Sequence, residues 1–401
     1  MPHWIVDARS VPGGVARLLD EVVRWRDETG DDVLVVVDGS PTARVPEGRH
    51  YGVDVRYGAA DEIVRVVAER PAPAGTTVAT SDPVLRARVA ALGAAGEDAR
   101  RFRDRLAGAG ARRRDRAILA TFGVDESALL GRGGEARVFA LDADRVLRLP
   151  HPGVAPGALE ERRRLLATIA TPGWRVALPE VLEHREVEGR LVVVERRLPG
   201  RTALDVLDEP GRDREALVRD HLDVARRVPE LPCPTDRFGE ILGGNRIEAD
   251  GFAAWAEQRL VVSLRTGGEA FAGIDPQAVT RDLVDALPEP EPARPLLVHL
   301  DVFLGNMLAA GDRISALLDF GPMTIGGPRD LDALVAVAYL APEITPTAGE
   351  GERRAALAWA EEAGLAAAVA PAERWIAAYW TGAPDDERLR GWCRRILGCG
   401  A

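Results

Sequence analysis

Apolar positions recur along this chain in two rhythms, and the change between them divides it. Over residues 1–110, Trp4 to Asp7, Val33 to Asp38, Val53 to Tyr57 and Thr77 to Thr80 read as buried strands. Between them Val15 to Arg26, Asp61 to Ala68 and Pro83 to Leu92 carry the apolar spacing of helices. Such alternation predicts a small α/β sandwich with a mainly parallel sheet. Residues 94–116, rich in Ala, Gly and Arg and including Arg112-Arg113-Arg114, predict a terminal helix with a solvated face running into a linker at 111–116.

From Ala117 to Pro199 the pattern changes to short strands around glycine turns. Leu130 to Ala140 reads as two strands about a turn, Arg145 to Leu149 as the next strand, Glu160 to Ile169 as a helix and Leu191 to Glu195 as a buried strand. After Thr202 the rhythm is mainly helical, through Asp205 to Val228, Phe252 to Leu264, Pro276 to Leu287, Asp330 to Leu340 and Gly351 to Ala368, with a Pro-rich loop at Pro288 to Pro295. The predicted architecture is a small α/β domain at 1–110 fused, through 111–116, to an α+β bilobal domain. Its sheet lobe spans 117–199 and its helical lobe 200–401.

Composition narrows the chemistry. A length of 401 residues allows two or three domains, and a net charge of −11 argues against strong non-specific nucleic-acid or membrane binding while leaving room for a local patch. Cys233, Cys393 and Cys399 suit neither a disulfide framework nor a zinc site, which makes a reducing cytoplasm the expected location. The start, Met1 to Val6, lacks the charged opening of a signal peptide, and the longest uncharged apolar stretch, Ala333 to Ala341, is too short to span a membrane. All 52 basic residues are arginine, so lysine-dependent chemistry, including the Walker-type P-loop and the Schiff base, is excluded.

The candidate chemistry is concentrated at 299–321. His299-Leu300-Asp301 is followed by Asn306 and, thirteen positions later, by Asp319-Phe320-Gly321, delivered by the apolar run Ile314 to Leu318. Phosphoryl transfer needs a carboxylate near the acceptor hydroxyl, which fits Asp301, and hard oxygen ligands for a divalent cation, which fit Asn306 and Asp319. Protein kinases use this order and spacing. A second triplet, His221-Leu222-Asp223, lacks the downstream Asn and Asp-Phe-Gly, so its His and Asp are expected to be solvated or capping helix residues.

Upstream, Gly131, Gly133 and Gly134 would let backbone N–H groups approach nucleotide phosphates. In a lysine-free chain the phosphate grip falls to Arg148, in mid-strand, with Glu161 preferred over Glu160 as its helix partner. The backbone at Glu195 and Arg197 is expected to hold adenine at a hinge between the lobes.

On these motifs, residues 117–401 resemble the aminoglycoside phosphotransferase family of kinase-like enzymes. The resemblance implies ATP or GTP and Mg²⁺ as cofactors, Asp301 as base, Asn306 and Asp319 as magnesium ligands, His299 as a loop support and Asp330, in Pro328-Arg329-Asp330, as an organiser of the site. The implied partner is a small molecule bearing a hydroxyl. Asp236, Glu240, Glu248 and Asp250 would favour a cationic one.

The first domain carries its own acids. Asp7, Asp38 and Asp82 end strands and Asp61 opens a helix, positions where α/β sheets gather ligands and where helix caps also occur. The stretches Val6-Asp7, Val37-Asp38-Gly39, Ala60-Asp61-Glu62 and Thr80-Ser81-Asp82 resemble the NYN branch of PIN-like ribonucleases. That resemblance implies RNA as a partner and Mg²⁺ or Mn²⁺ on the four acids, although Ser10 replaces the usual Asn. A metal-dependent nuclease regulated by a kinase-like domain is thus the alternative to a small-molecule phosphotransferase. A binding protein built from two degenerate domains is the non-enzymatic reading.

Overall fold

A computed structural model describes every residue except 1–2, 12–13, 43–44, 108–109, 134, 152–153, 245, 384–385 and 400–401. The chain forms two compact units, Met1–Ile118 with Pro384–Arg388, and Leu119–Ala383 with Leu389–Ala401.

The first unit runs β1 (His3–Asp7), α1 (Val15–Thr29), β2 (Asp32–Val37), β3 (Gly48–His50), β4 (Val53–Tyr57), α2 (Ala60–Ala68), β5 (Thr76–Ala79), α3 (Pro83–Ala91), β6 (Ala95–Glu97) and α4 (Ala99–Ala107). Its sheet order is β3-β4-β2-β1-β5-β6, parallel except where β3 meets β4. The central strands β1 and β2 are apolar on both faces. Trp4, Val6, Val33 and Val35 pack with Leu18, Val22 and Phe102, whereas Ile5, Leu34 and Val36 pack with Ile63, Val67 and Leu85. Two-residue alternation thus feeds two separate cores, and the sheet is covered on both sides as expected of parallel strands. The expected linker 111–116 instead lies within α5 (Gly110–Thr121), consistent with the helix preference of Ala and Arg.

The second unit opens with an antiparallel sheet of order β10-β11-β9-β8-β7, built from β7 (Leu129–Arg132), β8 (Ala136–Ala140), β9 (Arg145–Pro150), β10 (Val181–Val187) and β11 (Arg190–Arg196), with α6 (Pro156–Ile169) inserted after β9. There follow β12 (Arg201–Thr202), α7 (Ala203–Leu207), α8 (Arg214–Arg227), β13 (Phe238–Glu240), β14 (Glu248–Ala249), α9 (Phe252–Gly267), α10 (Pro276–Ala286) and β15 (Leu296–Val298). Then come β16 (Met307–Ala310), β17 (Arg313–Leu317), β18 (Ile325–Gly327), α11 (Leu331–Tyr339), α12 (Glu350–Glu362), α13 (Ala366–Trp380) and α14 (Glu387–Leu397).

Two predicted helices are each split. Asp205–Val228 breaks into α7 and α8 where Pro210 offers no N–H and Gly211 takes φ +80°, and Gly351–Ala368 divides at Gly364, φ +76°. Every residue of α11 is buried, so this helix forms the centre of the lobe rather than a surface stripe. Among the described residues no helix is long and apolar enough to cross a membrane.

Candidate active site

A hairpin brings the two halves of the 299–321 motif together. β16 pairs with β17 in the register Met307 to Leu317, and the Leu318 N–H donates to Asn306 O at 2.8 Å, so the loop after β15 lies against the segment after β17. Asn306 Nδ2 donates to Asp301 Oδ2 at 2.8 Å and to Asp301 O at 3.1 Å. The amide nitrogen is thereby committed, and the amide oxygen remains the acceptor of that side chain.

His299 ties the segments from the inside. A carbonyl only accepts, so the 2.7 Å contact with Leu318 O makes Nε2 the protonated ring nitrogen, and Nδ1 accepts the N–H of Asp301 at 3.2 Å. Burial lowers its pKa to about 4 and keeps the ring neutral, while its edge meets Phe320 with centroids 4.5 Å apart. The expected supporting role of His299 therefore corresponds to two named hydrogen bonds.

A left-handed residue stands immediately before one acid and at the other. Leu300, just before Asp301, has φ +62°, and Asp319 has φ +59°, left-handed values that cost a non-glycine residue about 1–3 kcal/mol. For Leu300 the surroundings supply the compensation, since its N–H donates to Asp332 Oδ1 at 2.7 Å and its carbonyl accepts from Tyr339 Oη at 3.0 Å. Asp332 Oδ2 also accepts the N–H of His299, at 2.8 Å. Tyr339 in turn accepts from Trp380 Nε1 at 2.9 Å.

His221 completes the support by donating from Nε2 to Val302 O at 2.8 Å, and Asp223 accepts from Trp359 Nε1 at 2.8 Å. The expectation of solvated residues at 221 and 223 was wrong for His221, which is wholly buried. Its helix turns that residue into the core and toward the loop.

The charges differ in character. Burial first, and then the nearby negative charge of Asp319, push the Asp301 carboxyl up to about 6, with the Asn306 hydrogen bond opposing them. Burial acts on Asp319 in the same direction, but Arg148 outweighs it and holds that carboxyl below the usual range. Arg148 Nη2 lies 3.1 Å from Asp319 Oδ1 and 3.6 Å from Glu135 Oε2, a partner that sequence reasoning missed.

Glu161 was expected to hold Arg148 and does not. Its Oε2 accepts the N–H of Gly243 at 3.1 Å, while Glu160 pairs with Arg163 and Arg164. Among the charged residues of α6 the buried one is Arg162, whose Nη1 meets Glu195 Oε1 at 2.5 Å. Glu195 is thus present at the site, with its side chain in an ion pair. The backbone N–H of Arg197 is taken by Asp144 O at 2.7 Å, so it does not supply the expected adenine donor.

Gly131 lies in β7 opposite Val138, and the Gly133 N–H donates to Ala136 O at 2.9 Å; Gly134 lies outside the described residues. Asp330 is buried 3.5 Å from Arg226 Nε, on a small cavity shared with Glu289 and Arg329. Its described contacts reach neither Asp301 nor Asp319. Three of the acids once assigned to a cationic acceptor have arginine partners: Asp250 pairs with Arg237, Glu240 stands 3.5 Å from Arg259 and Glu248 4.0 Å from Arg246. Asp236 is exposed.

In the first unit, Asp7, Asp38 and Asp82 line one cavity of about 300 Å³ with Arg9 and Ser10, where β1 stands between β2 and β5. Asp7 Oδ2 accepts from Ser10 Oγ at 2.5 Å and Thr80 Oγ1 at 2.7 Å, and Asp82 caps α3 through the N–H groups of Val84 and Leu85. Asp61 does not join them, because the first turn of α2 aims it at Arg88, 2.7 Å away. Among the described residues no three His, Cys, Asp or Glu side chains stand close enough to hold a metal ion.

The profile of the phosphotransferase enzyme family matches residues 127–392, about two thirds of the chain. Among solved structures the chain is similar to the gentamicin complex of APH(2")-IIa, with TM-score 0.48 and 14% identity over 72% of this chain and 96% of that one. It is also similar to aminoglycoside phosphotransferase APH(4)-Ia in a ternary complex with AMP-PNP and hygromycin B (0.49, 19%, 71% and 97%). A third is the macrolide 2'-phosphotransferase MphH from Brachybacterium faecium (0.43, 19%, 71% and 97%). No curated relative matches.

Proposed function

The chain belongs to the phosphotransferase enzyme family, and from that membership we propose that it transfers the γ-phosphoryl group of ATP, with GTP as the other candidate donor, to a hydroxyl of a small molecule. The observation that carries this reading is the hairpin that brings Asp301, hydrogen-bonded to Asn306, to the segment bearing Asp319, which Arg148 holds at 3.1 Å; burial raises the first carboxyl and Arg148 holds the second down. Two neighbouring carboxyls with opposed titration suit different tasks.

Asp301 is the base that takes the acceptor hydroxyl proton as the oxygen bonds to phosphorus and the bond to the β-phosphate oxygen breaks, releasing ADP. Asn306 and Asp319 would hold magnesium. An amide oxygen and a carboxylate oxygen are the hard donors it takes, and its few protein ligands leave room for phosphate oxygens and water. When bound, the ion neutralises charge on the transferred group. Arg148 grips phosphate. Among the described residues an added Cβ would meet nothing within 4 Å at Gly131 and Ala136 O, at 3.9 Å, at Gly133, so neither glycine is crowded by its surroundings.

The acceptor is a hydroxyl compound whose charge the site leaves open. Arginine partners on Glu240, Glu248 and Asp250 remove the argument for a polycation. A screen with labelled ATP against aminoglycosides, macrolides and sugars tests the class. Calorimetry tests the donor: Mg·ATP should bind the wild type, D301A should bind it and transfer nothing, and D319A should lose binding. Wild-type protein that does not bind Mg·ATP or Mg·GTP would end this reading.

A second reading concerns the first unit, where three acids share one cavity. Hydrolysis of RNA with Mg²⁺ or Mn²⁺ by the full chain, lost in D7N, would support a nuclease there. Equal inertness of both proteins would remove it.

A further inference from the structure

The charged residue that α6 buries is a cation, Arg162, and it pairs with a carboxylate on β11, whereas in kinases a helix glutamate pairs with the phosphate-gripping strand lysine. Arg162 and Glu195 are both buried and lie 2.5 Å apart. The strand register shows what this pair prevents. Arg148 stands opposite Val193, and Glu195 opposite Val146, so Arg148 and Glu195 are diagonal neighbours on one face of the sheet, within reach of long side chains.

Arg148 thus has three carboxylates around it: Asp319 at 3.1 Å, Glu135 at 3.6 Å and the diagonal Glu195, whose charge also acts on it. A buried carboxylate without a partner takes the nearest cation, because the cost of leaving it bare is high. Arg162 already holds Glu195, and its positive charge extends to Asp319.

We propose that Arg162 is a positioning residue for nucleotide binding: by occupying Glu195 it stops that carboxylate from capturing Arg148 and leaves Arg148 directed at Asp319 and the phosphates. This rests on the nucleotide reading given above. Arg162 itself contacts Glu195. It acts through Glu195.

The test is titration calorimetry of Mg·ATP on the full chain, with thermal unfolding of each variant alongside. R162M should weaken binding at least tenfold and R162K less than threefold. The double variant R162M/E195Q should regain wild-type affinity within about threefold. In an R148M background, R162M should add no further loss, since its effect passes through Arg148. Should R162M not fold, the swap R162E/E195R decides. It restores the ion pair and stability but sets a cation beside Arg148, so Mg·ATP binding should stay at least tenfold weaker.

A pair that merely fastens helix to sheet predicts restored binding in the swap, and that result would overturn the proposal. Unchanged affinity in folded R162M, or a double variant as weak as R162M, would do the same. Wild-type protein that binds Mg·ATP separates all these outcomes from a failure of the phosphotransferase reading itself.

Discussion

Asp332 Oδ1 accepts the N–H of Leu300 at 2.7 Å, so a carboxylate in the first turn of an entirely buried helix fixes the backbone of the residue before Asp301. The same group takes the N–H of His299 with its other oxygen. Two acceptors on one side chain thereby hold a left-handed turn that leucine would otherwise avoid.

Asp332→Asn offers one acceptor oxygen for two donors, leaving a buried N–H facing an amide nitrogen at a cost of about 1–3 kcal/mol. Unfolding in urea should record that loss. Transfer rate should fall by about tenfold or more with Mg·ATP affinity nearly unchanged, because the loop bearing Asp301 loosens while Asp319 and Arg148 stay. The pH dependence has a definite sign. Burial raises the Asp332 carboxyl to about 7, so its contribution to stability is full below about pH 4 and is lost as pH rises toward 7. Stability of the wild type relative to D332N should therefore decline over that interval; a flat difference would contradict the assignment.

Arg148→Met should weaken Mg·ATP binding by about tenfold or more, and R148K by less, since an ammonium keeps charge but not the planar fork. The same substitution removes the partner that keeps Asp319 below the usual carboxylate range. The depressed Asp319 stabilises the fold above about pH 4 and loses that contribution as pH falls, so R148M should lose less stability than the wild type on acidification. Titration calorimetry measures the first effect, and urea unfolding at pH 7 and again well below pH 4 measures the second.

The motif was legible because its geometry is local: Asp301 to Asn306 is one loop, and an apolar strand carries Asp319 to it. Its supports were not. Asp332, Tyr339 and His221 reach the loop from other helices, and in the sequence nothing separates His221 from a solvated helical histidine. The α6 partner shows the limit most sharply. Successive helical residues differ by about 100° in direction, so a one-residue error exchanges Glu161, which faces Gly243, for Arg162, which faces Glu195. In the first unit the parallel sheet was readable from alternating runs. The divergence of Asp61 from the other acids depended on its meeting Arg88, a contact across 27 positions.

Acid should destabilise the second unit through its buried histidines. His221 and His299 are both lowered to about 4 by burial, against an ordinary value of 6.5. Their contribution is full above pH 6.5 and is lost as pH falls toward 4, each protonation opposing the native state by up to about 1.4 kcal/mol per pH unit. His221→Gln keeps an N–H donor for Val302 O without a titrating ring. Its unfolding free energy should fall less steeply with pH than the wild type's, by about one proton; an identical slope would show that His221 titrates normally.

The pH profile of transfer tests the division of labour between the two acids. With its carboxyl raised to about 6 in the free protein, Asp301 is about nine-tenths ionised at pH 7 and about one-tenth at pH 5, so transfer to the acceptor found in the screen should fall on an acid limb as pH drops. D301N should abolish transfer at every pH while leaving Mg·ATP binding intact. D319N removes the negative charge that helps hold Asp301 up, and the Asp301 carboxyl of that variant, followed by NMR in the free protein, should titrate at lower pH. A carboxyl that still titrates near pH 6 in D319N would mean that burial alone sets the Asp301 proton affinity. A limb near pH 4 in the wild type would mean that the base is ionised by contacts other than those made by Asn306.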